Sequence, residues 1–356
     1  MKKTHKNTLN TGPARSVPVP AAALLPPPAG WYRKVFLALL PFLCFSLYQG
    51  GSRFARDLGL YGEPVFQKRV VANPIRDAEW DTMVASLAKM SAGYRGHVGI
   101  YLKDLNSDRV WEHNPDQLFT AASLIKVPIM VSILQKIKLG ELTLNTPLKL
   151  TRRLRAGGSG SLKWAREGTM LSVMEVIFKM ITESDNTATK MLIDHAGMDY
   201  LQQAFEGLGL IHTRIYPEGM SLAYGRVSRE NYTTAREMAG LMEGIYKGEV
   251  VDKDSSEFML DVLKHNKSRS RLKKGLPLGW ELGHKTGLLR RSCHDVGIVF
   301  SPRGDYVIAV LTGEVPDYTS AKNFIARVAK QTYKYYKTDS EYASAGGASV
   351  PGIKPG

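Results

Sequence analysis

Cysteine is nearly absent from this chain. Its 356 residues include two, Cys44 and Cys293, and Cys44 falls inside an apolar N-terminal run. A disulfide within the folded part is therefore excluded. Neither cysteine has companions at metal-ligand spacing, so no metal and no cofactor is expected. Acidic residues are also short: 33 Asp and Glu face 48 Lys and Arg, a net charge of +15. Such a surplus suits an anionic membrane or wall polymer, or a merely solvated surface. No recognised nucleic-acid-binding motif accompanies the charge, so nucleic acid is not expected as a partner. Long apolar runs are scarce, the one candidate being Val35 to Tyr48. It is short against the roughly 20 residues a spanning helix needs, though Trp31, Tyr32 and Gly50-Gly51 extend it. Arg33-Lys34 precedes it, as in a signal peptide or anchor. No good A-x-A cleavage site follows, and Pro41-Phe42-Leu43 is a poor lipoprotein context for Cys44.

The remaining composition, 44% hydrophobic and 23% charged, is that of an ordinary globular protein. Along the chain, residues 1–30 form a basic, Pro- and Ala-rich segment without expected fold. Residues 31–51 are read as a membrane anchor or signal segment, with a buried core helix as the alternative, and 52–76 as a linker. An uncleaved anchor would leave the rest of the chain outside the cytoplasm, in the periplasm or on the outer face of the membrane. Trp80, Met83, Val84, Leu87 and Met90 then fall at helical spacing. Two strands are expected at His97–Leu105 and Arg109–Glu112, followed by a helix from the Ser123 region to Lys138 that stops at Gly140. A kink is expected at Pro128. Helices are expected at 171–181, 188–195, 200–208, 238–246 and 257–263. Strands follow at 280–288, 296–300 and 306–311, a last helix at 320–337 and a flexible tail at 339–356. Strands at both ends of a helical block suggest one sheet built from both termini, with the helices inserted as a second lobe. No internal repeat is present.

The chemistry begins at Ser123-Leu124-Ile125-Lys126. Residues three apart on a helix share a face, so the lysine can lie over the serine. A helix N-terminus favours developing negative charge, and a lysine of lowered pKa can activate a serine. Alone the pattern is cheap, because Ser86/Lys89 and Ser270/Lys273 match it too. Two further motifs decide among them. Ser184-Asp185-Asn186 sits between two expected helices, and Lys285-Thr286-Gly287 sits on the first strand of the C-terminal group. The former alone would read as a helix cap. Together and in this order, S-x-x-K, S-D-N and K-T-G form the signature of class A β-lactamases and penicillin-binding proteins. Ser270 lies after Ser184 and Ser86 lies within a surface helix, which leaves Ser123.

The chain thus resembles the class A β-lactamase-like serine hydrolases, within the penicillin-recognising serine acyltransferases. The resemblance spans about Asp77 to Lys337. It also includes Gly157-Gly158-Ser159-Gly160-Ser161 and Leu276-Pro277-Leu278-Gly279-Trp280. It implies an α+β two-lobed domain over 77–338. An α/β lobe (77–120 and 266–338) would hold a five-stranded antiparallel sheet, an all-α lobe would occupy 121–265, and the active site would lie between them. Ser123 would be the acylated nucleophile and Lys126 its proton acceptor. Ser184 would pass a proton to the leaving nitrogen, with Lys285 polarising it. Asn186 would bind the substrate amide, Thr286, Gly287 and Arg271 would face the substrate and its carboxylate, and the N–H groups of Ser123 and Leu288 would form the oxyanion hole. Arg271 is equally one of several surface bases in 264–274, and His294 stands at the family's other arginine position.

One part of the pattern is missing. The family's Arg-x-Glu-Pro loop, whose glutamate activates the deacylating water, corresponds here to Arg214-Ile215-Tyr216-Pro217-Glu218-Gly219-Met220. Tyrosine takes the glutamate position, and Met220 takes that of a water-holding asparagine. A tyrosine near pKa 10 is a poor base at neutral pH. Glu218 could substitute only if the loop is rebuilt, and the aspartate that usually pairs with the loop arginine is absent. The expected activity is a serine hydrolase acting on β-lactam rings through an acyl-enzyme, with slow release. The alternatives are a D,D-peptidase or transpeptidase acting on D-Ala-D-Ala peptidoglycan stem peptides, and an inactive wall-binding module.

Overall fold

A computed structural model describes residues 74–222 and 227–338. The N-terminal segment, the anchor at 31–51, most of the linker and the 339–356 tail lie outside the described residues. Among the described residues no helix is long and apolar enough to cross a membrane.

Helix α1 (Pro74–Ala92) leads into β1 (His97–Asp104), β2 (Val110–His113) and a short β3 (Phe119–Thr120). A 3-10 turn at Ala122–Ile125 carries Ser123, and α2 (Lys126–Lys138) follows directly. The central block contains a β4 (Pro147–Lys149) and β5 (Met170–Ser172) ribbon, then α3 (Val173–Thr182), α4 (Asn186–Ala196) and α5 (Met198–Gly207). After a loop come β6 (Tyr232–Thr233), α6 (Ala235–Lys247), α7 (Lys253–Lys264) and one turn of helix, α8 (Leu272–Gly275). The chain closes with β7 (Glu281–Leu289), β8 (Ser292–Phe300), β9 (Tyr306–Gly313) and α9 (Tyr318–Tyr336).

The main sheet is antiparallel with strand order β2-β1-β9-β8-β7. The fold is thus the two-lobed α+β arrangement, the sheet joining strands from both ends of the domain. All of β9 is buried, and its side chains divide with period two. Tyr306, Ile308 and Val310 join the core under α1 and α9, while Val307, Ala309 and Leu311 join the core shared with the helical lobe. Burying each such aliphatic side chain contributes about 1.5–3 kcal/mol. Helix α2 is buried without interruption from Lys126 to Leu134, which makes it the central helix of its lobe.

Three sequence expectations change. Leu171 belongs to β5, because a Ser172/Glu175 capping box starts α3 only at Val173. Strand β8 begins at Ser292, four residues early, because the polar Ser292, His294 and Asp295 are all buried. Pro128 is the third residue of an unbroken α2, where a helix has no use for the N–H that proline lacks, so no kink arises within the helix.

Candidate active site

Ser123 lies in the 3-10 turn, not at the start of an α-helix as the spacing suggested. In a 3-10 turn positions i and i+3 eclipse, so the serine–lysine relation survives the change. The turn is entered through Ala122 at φ +47°, a conformation that costs a side-chain-bearing residue energy and recurs at functional sites. Strand β7 packs beside it: a Cβ placed on Gly287 would lie 3.3 Å from the Ala122 Cβ. The K-T-G backbone thereby runs alongside the nucleophile turn, and Leu288 is partly exposed just beyond.

The S-D-N turn arrives from the helical lobe. Asp185 is the N-cap of α4: its Oδ1 accepts the Ala188 N–H at 2.9 Å, and its Oδ2 accepts that of Leu162 at 2.8 Å. Gly160 closes against this carboxylate, at φ +101° and with space for no Cβ, which would sit 2.1 Å from the Asp185 Cγ. Held in this way, Ser184 adopts φ +55° and presents its hydroxyl to both lysines.

Lys126 Nζ lies 2.7 Å from Ser184 O, 2.7 Å from Asn186 Oδ1 and 3.2 Å from Ser184 Oγ. Lys285 Nζ donates to Ser184 Oγ at 3.0 Å and to Thr286 O at 2.9 Å. Both amines are buried. Desolvation brings Lys126 down to about 7, opposed by nearby Asp185. Lys285 is also pushed well down, by burial first and then by repulsion from Lys126 and Arg271. A neutral Lys126 can keep two N–H bonds, to Ser184 O and Asn186 Oδ1, and still have a lone pair with which to accept a proton. Lys285 donates to the Ser184 hydroxyl oxygen. The three groups form a hydrogen-bonded path along which a proton can pass. Among the described residues Ser123 Oγ makes no hydrogen bond. Such bonds often form only when substrate is in place.

The other predicted residues divide. Asn186 also donates from Nδ2 to Gly157 O at 2.9 Å, so its amide is fixed. Thr286 lines a groove of about 680 Å³ with Ser184, Ser159, Ser161, Trp164 and Lys267. Arg271 does not line this groove. It is 5% exposed, stands at a φ of +60° and its Nε donates to Cys293 Sγ at 3.3 Å, so its guanidinium is spent inside the fold. His294 is no anion anchor either. It is fully buried and pushed down to about 4 by desolvation; its Nε2–H donates to Thr120 O at 2.8 Å, and its Nδ1 accepts the Thr312 N–H. Glu218 is exposed, and among the described residues its carboxylate makes no hydrogen bond or ion pair, so it is not brought to the lysines. Tyr216 stacks under the Arg229 guanidinium, 4.1 Å from ring centre to carbon.

Sequence reasoning did not single out Asn231, Arg290 or Glu230. Asn231 O accepts the Ala121 N–H at 2.6 Å, and its Oδ1 accepts the Tyr216 N–H at 2.7 Å. Arg290 and Glu230 form a nearly buried ion pair at 2.5 Å. The available signal was Arg290-Arg291 in a two-residue hairpin turn that ordinarily favours Asn-Gly.

Fold and site together define a serine hydrolase of the acyl-enzyme type, with lysines and a second serine in place of a histidine–aspartate pair. A family model, "Beta-lactamase enzyme family", matches residues 82–336, and the chain belongs to that family. It is a serine β-lactamase-like hydrolase. Among curated relatives, β-lactamase VEB-1 of Pseudomonas aeruginosa is 24% identical over 73% of this chain and 92% of its own length. A Bacillus licheniformis β-lactamase is 25% identical over 68% and 79%. Among solved structures, PBP-A superposes with a TM-score of 0.65 at 30% identity, covering 71% of this chain and 95% of its own. A Sphaerobacter thermophilus β-lactamase gives 0.66 at 28% identity, over 71% and 96%.

Proposed function

We propose that Ser123 is acylated by β-lactams and that the acyl group leaves slowly. The observation that carries this reading is the convergence of two buried amines on Ser184 Oγ, at 3.2 and 3.0 Å. In the proposed reaction Ser123 Oγ adds to the lactam carbonyl, with its proton passing to neutral Lys126. The N–H groups of Ser123 and Leu288 hold the oxyanion. The C–N bond then breaks as Ser184 delivers a proton to the leaving nitrogen and recovers one from the Lys126 side. Lys285 keeps Ser184 polarised, Asn186 orients the acyl amide, and Thr286 and Gly287 border the carboxylate. In the final step water adds to the ester and the bond to Ser123 Oγ breaks. Asp185, the carboxylate near Lys126, is committed through both oxygens to the N–H groups of Ala188 and Leu162, position 216 is tyrosine and Glu218 is solvent-exposed, so among the described residues this water has no evident carboxylate base.

A second reading has a specific observation in its favour. An acyl-enzyme lacking a dedicated water-activating base suits transfer to, or slow hydrolysis of, D-Ala-D-Ala stem peptides. PBP-A, at 30% identity, is a relative whose mutant has been solved as an acyl-enzyme with penicillin G. The N-terminal apolar segment and the basic charge support an extracytoplasmic, membrane-anchored protein working on the wall. An inactive wall-binding module is disfavoured by the assembled relay. Intact-mass spectrometry after incubation with penicillin G tests the proposal: one adduct on the wild type and none on Ser123→Ala is the expected pair. A wild type without adduct, or an adduct that survives in Ser123→Ala, overturns it.

A further inference from the structure

We propose that Arg290 is a positioning residue that controls how long the acyl group stays on Ser123; this rests on the acyl-enzyme reading above. Arg290 is the first residue of the β7–β8 turn, just past the K-T-G strand. Both turn residues, Arg290 at φ +46° and Arg291 at φ +60°, hold a conformation that normally selects glycine or asparagine. A side chain kept there against its preference directs attention to what that side chain does.

The Arg290 side chain reaches across to both arms of the loop that carries position 216. Its Nε donates to Glu230 Oε2 at 2.5 Å and its Nη2 to Glu230 Oε1 at 3.2 Å. Nη1 donates to Ser221 O at 2.7 Å, and Nη2 also approaches Gly219 O at 3.3 Å. The pair is nearly buried, at 7% and 10% exposure. The planar fork of an arginine can hold a carboxylate and two carbonyls at once, which the point charge of a lysine does not do.

The grip leads to the chemistry through one residue. Glu230 Oε1 also accepts the N–H of Asn231 at 2.9 Å. Asn231 O holds the Ala121 N–H, two residues before the nucleophile, and its Oδ1 holds the Tyr216 N–H. The loop is therefore pinned simultaneously to the K-T-G strand end and to the entry of the nucleophile turn. The family's loop arginine makes no such link here, since Arg214 pairs with Glu206 on α5. The relay of Lys126, Ser184 and Lys285 stands on α2, the S-D-N turn and β7, with no hydrogen bond to Arg290. Loosening the latch should leave loading nearly intact while admitting water to the ester, which shortens the adduct's life.

The test follows adduct gain and loss by intact mass, with penicillin G as the probe, for wild type, Arg290→Ala, Arg290→Lys and Glu230→Gln. Acylation within about threefold of wild type, with adduct lifetime shortened at least about fivefold in Arg290→Ala and less in Arg290→Lys, supports the latch. Glu230→Gln, which keeps shape and removes charge, should shorten it too and serves if Arg290→Ala does not fold. Lifetimes within about twofold of wild type in the folded variants, or gain and loss slowed by equal factors, overturn the latch. A wild type that forms no adduct at all is the distinct failure of the acyl-enzyme reading.

Discussion

The groups proposed to load Ser123 and the loop proposed to govern its unloading are built differently. Lys126, Ser184 and Lys285 stand at the junction of a central helix, a capped turn and the edge strand β7, each side chain bonded to the next. Among its described residues, the segment from Ile211 to Asn231 has one short turn of 3-10 helix, Glu218–Met220, and is held by Asn231 at its end and by Arg290 from the β7–β8 turn. Rigid elements fix groups more tightly than loops do, and Lys126 and Lys285 stand on a helix and a strand, with Ser184 in the turn that Asp185 caps. On the proposed reading, the contrast would let acylation and release vary independently in this fold. One half is written into the core and the other into a tether.

The comparison breaks most severely at Lys126. Replacing it with alanine should slow adduct formation by about 10²–10⁴-fold, read by stopped-flow mass or chromogenic assay. A small effect would move the base elsewhere. Because burial holds Lys126 down to about 7, it is protonated below that pH and neutral above it. Acylation should therefore rise with pH through an inflection near 7, and a profile flat from about pH 5.5 to 8.5 would contradict the assignment. On the release side, Tyr216→Glu should shorten adduct lifetime by about tenfold or more, by supplying a water-activating carboxylate at the loop position. An unchanged lifetime would mean that position 216 does not face the ester. Gly160→Ala should cost about 2–4 kcal/mol in urea unfolding, since its methyl would strike the Asp185 cap. A stability matching wild type would detach that cap from the site. The smallest effect belongs to Glu218→Gln, whose turnover should stay within about twofold of wild type. A large loss would restore Glu218 as the base and dissolve the contrast.

Much of this was legible in the sequence because the responsible patterns are local. The alternation in β1 announced a strand, and S-x-x-K, S-D-N and K-T-G announced the proposed relay through their order. What escaped was long-range. Nothing near Arg271 in sequence says that its guanidinium will be spent on Cys293, and nothing near His294 says that its ring will be spent on Thr120 and Thr312. Strand β8 hid its first residues because polar side chains with buried partners look like a turn. Asp295 is held there by His284 and the Leu272 N–H. The Arg290–Glu230 pair joins residues sixty apart and follows from no periodicity. Glu218 was drawn to the site by proximity in sequence, and the 3-10 turn at Glu218–Met220 faces it to solvent.

The central claim, complete loading beside impaired release, is tested most directly by a stopped-flow burst with nitrocefin. The account predicts a burst of about one product per enzyme followed by a much slower linear phase, the signature of an accumulating acyl-enzyme. A fast linear phase with no burst, lost in Ser123→Ala, would show that release keeps pace with loading and would contradict it.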